Sequence, residues 1–345
     1  MRFSLIVPVY NRPDEVEELL QSCTQQTNKD FEVIIVEDGS SRKCDEVCEK
    51  YNESLDIHYY YKDNSGPGQS RNYGAARAKG EYLIVLDSDV VLPPDYVKEV
   101  EKEIESQPTD AFGGPDKAHD SFTDVQKAIN YSMTSFFTTG GIRGGKKKLD
   151  KFYPRSFNMG IRAEVYNALG GFSKMRFGED IDFSIRIFKG NYKCRLFPEA
   201  WVWHKRRTDM KKFFRQVFNS GIARINLYKK YPDSLKLVHL LPAVFTLGVC
   251  LLVLASAVGR VLMAYAGGMV WYPLAALPWL PILFFALLIF IDSTIRNKSV
   301  KIGFYSIGTA FIQLIGYGSG FISAWWRRCV WGKDEFEAFK ETFYK

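Results

Sequence analysis

The sequence predicts an α/β domain built on a parallel, doubly wound sheet, followed by an α-helical membrane region. Two observations predict it. Over the first ninety residues, β-rich runs alternate with helical segments, the pattern that builds a parallel sheet with crossover helices. Beyond Leu235 the chain turns apolar in three long stretches, each long enough to cross about 30 Å of hydrocarbon.

The elements follow in order. Phe3–Val7 is a β-rich run, and Asn11-Arg12-Pro13-Asp14 opens a helix through about Ser22. Phe31–Val36 is a second strand, after which Asp38-Gly39-Ser40-Ser41 turns into a helix near Asp45–Tyr51. Ile57–Tyr61 is a third strand, Gly66-Pro67-Gly68 starts a helix ending by Gly80, and Tyr82–Leu86 is a fourth strand. A ligand of such a sheet sits beyond the carboxyl ends of the strands. The polar clusters Pro8–Asn11, Glu37–Ser40 and Asp87–Asp89 all fall there.

Farther along, helices are expected over Phe122–Phe137, Ile181–Phe188 and Met210–Tyr231, the last amphipathic and basic. Between the first two, Thr138–Lys148 is glycine-rich and basic, which suits a solvated surface loop, a lid over an anionic ligand or a contact with lipid headgroups. The domain boundary is expected near residue 232. Residues 1–232 form the expected catalytic domain, and 233–345 the membrane region, with hydrophobic helices at 237–259, 270–291 and 303–326.

Membrane topology is ambiguous at this level. Lys229, Lys230 and Lys236 precede the first stretch, Arg296, Lys298 and Lys301 separate the second from the third, and Arg327 and Arg328 follow the third. Positive charge prefers the cytoplasm. Three full crossings put the last pair outside, against that preference. The alternative is one re-entrant or interfacial stretch, with the Pro-interrupted second and the Gly-rich third as candidates.

Composition narrows the class without fixing it. A net charge of +7 over 345 residues fits a membrane-surface protein or a binder of anionic substrates. The N-terminal Met1–Pro8 run is too short for a signal-peptide core, so the first domain is expected in the cytoplasm. Six scattered cysteines read as reduced thiols. Cys44 and Cys48 stand one helical turn apart, but no second pair with ligand spacing accompanies them.

The chemistry lies in the acids. Asp87 and Asp89, separated by Ser88 at a strand end, suit a hard divalent cation bridging a diphosphate. Gly178-Glu179-Asp180 precedes a helix; the acids fit a helix cap or a general base that deprotonates a hydroxyl. His204 closes the run Trp201-Val202-Trp203 and could complete a metal's coordination. Arg71, near its helix start, could reach a nucleotide.

Together the motifs Ser4–Asn11 (SLIVPVYN), Val36–Ser40 (VEDGS), Gly66–Gly80, Leu86–Val90 (LDSDV) and Gly178–Asp182 (GEDID) resemble the successive signatures of family 2 glycosyltransferases. The resemblance runs from about Phe3 to Tyr231. It implies the A-type glycosyltransferase fold, a Rossmann-like mostly parallel sheet with an acceptor-binding half packed onto it. It further implies that Pro8, Tyr10, Asp38, Arg71 and Ser88 bind the nucleotide. Asp87 and Asp89 would hold Mg²⁺ or Mn²⁺ with His204 as third ligand. Asp180 would be the catalytic base, with Glu179 beside it, and Asn158, Met159 and Gly160 would line the donor-sugar and acceptor region.

The expected function is inverting, metal-dependent transfer from a nucleotide diphosphate sugar, with UDP as the default nucleotide. The expected acceptor is a hydroxyl of a glycolipid or lipid-linked glycan. The enzyme is expected to be an integral membrane protein (of the inner membrane in a bacterium), with no nucleic-acid partner; the sequence does not set its oligomeric state. Processive synthases carry a Gln-x-x-Arg-Trp signature after the base. The helix at Phe213–Arg224 lacks its tryptophan, which favours adding one or a few sugars. Three alternatives stand beside this reading: transfer to a polyprenyl phosphate, a tethered nucleotide-sugar binder without activity, and a nucleotidyltransferase. The last is opposed by the absence of glycine in Pro8–Asn11.

Overall fold

The computed structural model describes residues 1–117, 122–140, 152–175, 177–205, 209–266 and 269–335. Of the basic loop expected at Thr138–Lys148, residues 141–148 lie outside this set. The described residues group into two compact units, one of residues 1–117, 152–175 and 177–205, the other of 122–140, 209–266 and 269–335.

In chain order, the first unit begins with β1 (Phe3–Val9), α1 (Pro13–Thr24), β2 (Phe31–Asp38), α2 (Asp45–Tyr51), β3 (Ile57–Lys62), α3 (Pro67–Ala75) and β4 (Tyr82–Leu86). It continues with β5 (Val90–Val91), α4 (Tyr96–Ser106), β6 (Ala111–Gly113) and β7 (Asp116–Lys117). The chain then leaves for α5 (Asp124–Thr134) and α6 (Phe136–Thr139), which pack in the second unit. It returns with β8 (Asn158–Arg162), α7 (Ala163–Ala168), α8 (Glu179–Lys189), β9 (Cys194–Leu196) and β10 (Val202–His204). The second unit is completed by α9 (Met210–Lys230), α10 (Leu241–Tyr265), α11 (Tyr272–Ala276), α12 (Trp279–Asn297) and α13 (Val300–Trp325). Packing therefore groups α5 and α9 with the apolar helices, so the compact units are not divided at residue 232.

The large sheet has seven strands in the order β3-β2-β1-β4-β8-β6-β9. Strands β1 to β4 are mutually parallel, and β8 runs antiparallel to both its neighbours, so the sheet is mixed but mostly parallel. Side chains alternate across it. Leu5, Val7 and Val33 face one core with α1, α2 and α4, while Ile6, Ile34 and Val85 face a second with α7 and α8. Covering both faces buries every residue of β2 and β4, which is why these runs are continuously apolar apart from the acids. The order of strands reverses between β1 and β4, so the crevice at their carboxyl ends is the topological switch point.

In the second unit, three helical segments are long and apolar enough to cross a membrane: Leu237–Tyr265, Met269–Asn297 and Val300–Val330. The second is broken at its start, where a single 3-10 turn and the short α11 precede α12.

Candidate active site

The site grows from the end of β4. Asp87, Ser88 and Asp89 follow its last residue, and the chain at once enters β5, which pairs antiparallel with β10. In that register His204 stands opposite Val90, and Lys205 N–H donates to the Asp89 carbonyl at 3.0 Å. A two-residue ladder thus carries a histidine 115 positions away in sequence onto the acid triplet. His204 Nε2 lies 3.1 Å from Asp89 Oδ1, and Asp87, Asp89 and His204 each offer a ligand atom within 4.8 Å of the others.

The imidazole is held from two more directions. Phe157 stacks on it at 4.9 Å between centroids, and Asp116, brought alongside by the parallel pairing of β7 with β10, places Oδ2 3.9 Å from Nδ1. A carboxylate behind a histidine fixes its orientation and strengthens it as a ligand. Two carboxylates and one imidazole suit a divalent cation such as Mn²⁺ or Mg²⁺.

Two arginines brace this corner. Arg12 Nη1 lies 3.1 Å from Asp89 Oδ2. Arg71, buried to 3 % exposure, donates from Nη2 to Asp87 Oδ1 and from Nη1 to Glu179 Oε1, both at 2.8 Å. Its guanidinium is therefore a strut between the metal-type carboxylates and the acid pair, with Phe172 beneath it at 5.2 Å. The sequence assigns Arg71 to the nucleotide; its observed partners are these two acids.

The acid pair opens α8. Gly178 precedes it at φ 85°, a left-handed conformation that favours glycine and turns the chain abruptly into the helix. Asp180 Oδ2 accepts from Arg155 Nε at 2.6 Å, and Oδ1 from Ile181 N–H at 2.8 Å. Burial disfavours the charge on Asp180, but Arg155 and then Arg71 outweigh it, leaving the carboxyl below its ordinary range. Glu179 goes the other way. Burial and the neighbouring Asp180 charge push it up to about 7, against the pull of Arg71.

This raised value has a consequence for stability. Between the ordinary glutamate pKa and about 7, the folded protein binds more protons at Glu179 than the unfolded chain does. Its contribution is full below that window and is lost as pH rises through it. Comparing melting temperatures of wild type and Glu179→Gln between pH 5 and 8 should show the wild type losing ground to the variant as pH rises. A pH-independent difference would mean that Glu179 does not titrate there.

The nucleotide-type residues sit at the same sheet edge. Pro8 pairs in register with Val36 and is half-buried, as is Tyr10 just past β1, while Ser88 is buried. Asp38 ends β2 and accepts from the backbone N–H groups of Ser65 and Gly66, each at 2.9 Å, as well as pairing with Lys62. It shapes the loop that leads into α3. Its neighbour Glu37 is fully buried and accepts from Cys44 N–H at 2.9 Å, Tyr59 OH at 3.2 Å and the Ser40 hydroxyl. Cys44 and Cys48 are buried free thiols, as the sequence suggests.

Asn158, Met159 and Gly160 are not brought to an exposed face. They form β8 between β4 and β6, and all three are buried. Asn158 accepts from Tyr96 OH at 2.6 Å and donates to the Ala200 carbonyl at 2.8 Å. Met159 belongs to the core, and a side chain at 160 would collide with the Phe112 ring. Three residues of the site escape sequence reasoning: Arg12, Asp116 and Arg155. Arg12 had a signal, its place in the polar turn after the first strand. Asp116 and Arg155 lie in segments without periodicity.

With this geometry in hand, similarity to known proteins takes on a definite shape. The profile of glycosyl transferase family 2 matches residues 4–170. A glycosyltransferase of Haemophilus influenzae, itself uncharacterized, is 32 % identical over 194 residues, which is 54 % of this chain and 62 % of that one. The poly(ribitol-phosphate) beta-N-acetylglucosaminyltransferase TarS of Staphylococcus aureus is 32 % identical over 116 residues, 32 % of this chain and 20 % of its own. The chain thus spans less than two thirds of the length of these relatives. Among solved structures, the mannosyltransferase PcManGT of Pyrobaculum calidifontis, in complex with GDP-Man and Mn²⁺, superposes with a TM-score of 0.59 at 17 % identity. That likeness covers 96 % of this chain and 88 % of the other, and it establishes the A-type glycosyltransferase fold. Sheet order, the acid triplet at the switch point and the matched profile agree: residues 4–170 match glycosyl transferase family 2, on an A-type glycosyltransferase fold.

Proposed function

We propose that the protein is an inverting, metal-dependent glycosyltransferase that moves a sugar from a nucleoside diphosphate donor to a hydroxyl of a membrane-associated glycolipid or lipid-linked glycan. The observation that carries this reading is the convergence of Asp87, Asp89 and His204, joined through Arg71 to Glu179, the neighbour of Asp180.

Asp87, Asp89 and His204 would hold the cation, which when bound offsets charge growing on the departing diphosphate. Asp180 takes the proton of the attacking hydroxyl. As the new bond to the anomeric carbon forms, the bond to the phosphate oxygen breaks, and the nucleoside diphosphate leaves with the electron pair. Attack opposite the leaving group inverts the anomeric centre. Arg155 supports this role by keeping Asp180 ionised, while Glu179 shapes the acceptor side. Pro8, Tyr10, Asp38 and Ser88 line the nucleotide, with UDP as the default. The chain is read as integral to the membrane, with its catalytic domain cytoplasmic, because the apolar helices lie after the family match and are flanked by basic residues.

The test is turnover by the full chain in detergent with Mn²⁺, a panel of UDP- and GDP-sugars, and membrane lipid extract. Release of nucleoside diphosphate with a sugar on a lipid hydroxyl is expected. Pyrophosphate release, or no turnover with any donor, would overturn the reading. A sugar found on a polyprenyl phosphate oxygen would select the alternative acceptor.

A further inference from the structure

Three apolar stretches invite three crossings, but the packing of the third resists it. Helix α13 lies flush along α9. A side chain at Gly221 would strike the Tyr317 carbonyl, and one at Gly320 would strike the Phe218 carbonyl. A Cβ at Gly316 would come within 2.6 Å of Val217 Cγ2, and Arg328 Nη1 donates to Asn226 Oδ1 at 2.7 Å. These pairs run in step from Val217 to Asn226 on one helix and from Gly316 to Arg328 on the other. The glycines permit backbone contact of the kind that fixes helix pairs.

Helix α9 is not a membrane helix. It carries Lys211, Lys212, Arg215, Arg224, Lys229 and Lys230, charges that are costly to bury in the hydrocarbon of a bilayer. An α13 that crossed the bilayer would drag α9 in with it. The first half of α13 meets a second polar helix. Thr309 Oγ1 lies 2.7 Å from Ser132 Oγ, and Lys301 pairs with Asp124 at 2.8 Å, both partners belonging to α5 or its N-terminus. Within the protein, 44 % of the third apolar window is buried, against 11 % of each of the others.

The remaining two helices both meet α13 and then leave it. The end of α12 pairs with the start of α13, through Ser293 and Ser306 at 2.6 Å and the rings of Phe290 and Phe304, 4.7 Å apart. The start of α10 meets the later half of α13, where Thr246 Oγ1 donates to the Leu314 carbonyl and Ala243 packs with Phe321. Away from α13, α10 meets α11 and α12: Ser256 Oγ donates to the Ala275 carbonyl at 2.6 Å, and Trp279 Nε1 to Ser256 Oγ at 2.8 Å. Both legs of this hairpin are thus rooted on one helix. Residues 261–291 contain no charged side chain, and Leu251, Leu254, Leu280, Leu283, Phe284 and Leu287 are exposed.

We infer that only the α10–α12 hairpin inserts into the lipid bilayer, and that α13 lies in the plane of the membrane surface beside α9 and α5. The hairpin then enters and leaves on one face. Lys229, Lys230 and Lys236, Arg296, Lys298 and Lys301, and Arg327 and Arg328 all come to that same face. The conflict between three crossings and the distribution of positive charge disappears. The inference rests on the membrane reading above and sharpens it: α13 becomes a basic-flanked surface helix facing lipid headgroups.

The test uses the full chain in a bacterial host. Green fluorescent protein, bright only in the cytoplasm, and alkaline phosphatase, active only outside it, are fused in turn after Lys345. In parallel, Lys298→Cys is probed with a membrane-impermeant maleimide in intact cells and in inverted vesicles. Expected are a bright fluorescent fusion, a phosphatase activity at least about tenfold below a periplasmic control, and extra labelling at 298 only in inverted vesicles. An active phosphatase fusion would mean that α13 crosses, and labelling of 298 in intact cells would mean that α12 does not return; either overturns the inference. Release of the chain from membranes by alkaline carbonate would also overturn it, by showing that no hairpin is inserted. Sugar transfer by the purified chain is measured separately, so the catalytic reading can fail or stand without deciding the topology.

Discussion

Asp180→Asn is expected to lower kcat by about 10²–10⁴-fold, the usual contribution of a positioned general base, while leaving donor affinity within about twofold of wild type. Asparagine is the informative replacement because its carbonyl oxygen can still accept from Arg155 Nε or Ile181 N–H. What it lacks is the ability to take a proton. Single-turnover rates with saturating donor, set beside donor titration by calorimetry, separate the two effects. The neighbouring Glu179 makes the comparison sharper. Its carboxyl, pushed up to about 7, is by pKa alone the better-matched base, whereas Asp180 is held below its ordinary range by Arg155. Two adjacent acids with pKa values driven apart usually divide their duties. If Asp180→Asn kept turnover within about twofold while Glu179→Gln abolished it, the base would be Glu179 and the role given to Asp180 would be lost.

Much of this was legible in sequence, and the reason is local. Strands β1 to β4 are long, apolar and bounded by turn residues, so periodicity alone finds them within two residues of their ends. The acid triplet is legible because it follows the buried run Tyr82–Leu86. The short strands β5, β6, β7, β9 and β10 are different. Two or three residues carry no period, and β5 and β7 exist because β10 pairs with both. The family resemblance therefore implies the third metal-type ligand, but only the pairing of β10 with β5 brings His204 onto the triplet. Asn158 shows the opposite limit. A polar residue at a motif position reads as a ligand contact, yet here both ends of its amide are consumed by Tyr96 and Ala200. Two of the three arginines on the acids are ambiguous in sequence for a related reason. Arg71 looks like any helix arginine until burial between Asp87 and Glu179 assigns its partners, and Arg155 lies in a stretch with no pattern at all.

Removing the other end of the chemistry should produce a different signature. Asp89→Asn is expected to cost about 10³-fold in kcat/KM, in keeping with the several kcal/mol that a Lewis acid supplies to a departing diphosphate. The loss of rate should come with a change in how the nucleotide binds. Asp89 faces both Arg12 and His204, so neutralising it leaves Arg12 with Glu15 as its ion partner and makes the pocket more positive. Without metal, a nucleoside diphosphate should therefore bind the variant at least as tightly as it binds wild type. Added Mn²⁺ should strengthen binding to wild type but barely affect the variant. His204→Ala is the companion case: it removes a ligand without removing negative charge, so metal dependence should weaken with no gain in metal-free binding. Calorimetric titrations of nucleoside diphosphate with and without Mn²⁺, over the three proteins, read these differences directly. Undiminished stimulation by Mn²⁺ in Asp89→Asn would move the cation elsewhere and leave Asp87, Asp89 and His204 as an ion-pair cluster bracing the end of β4.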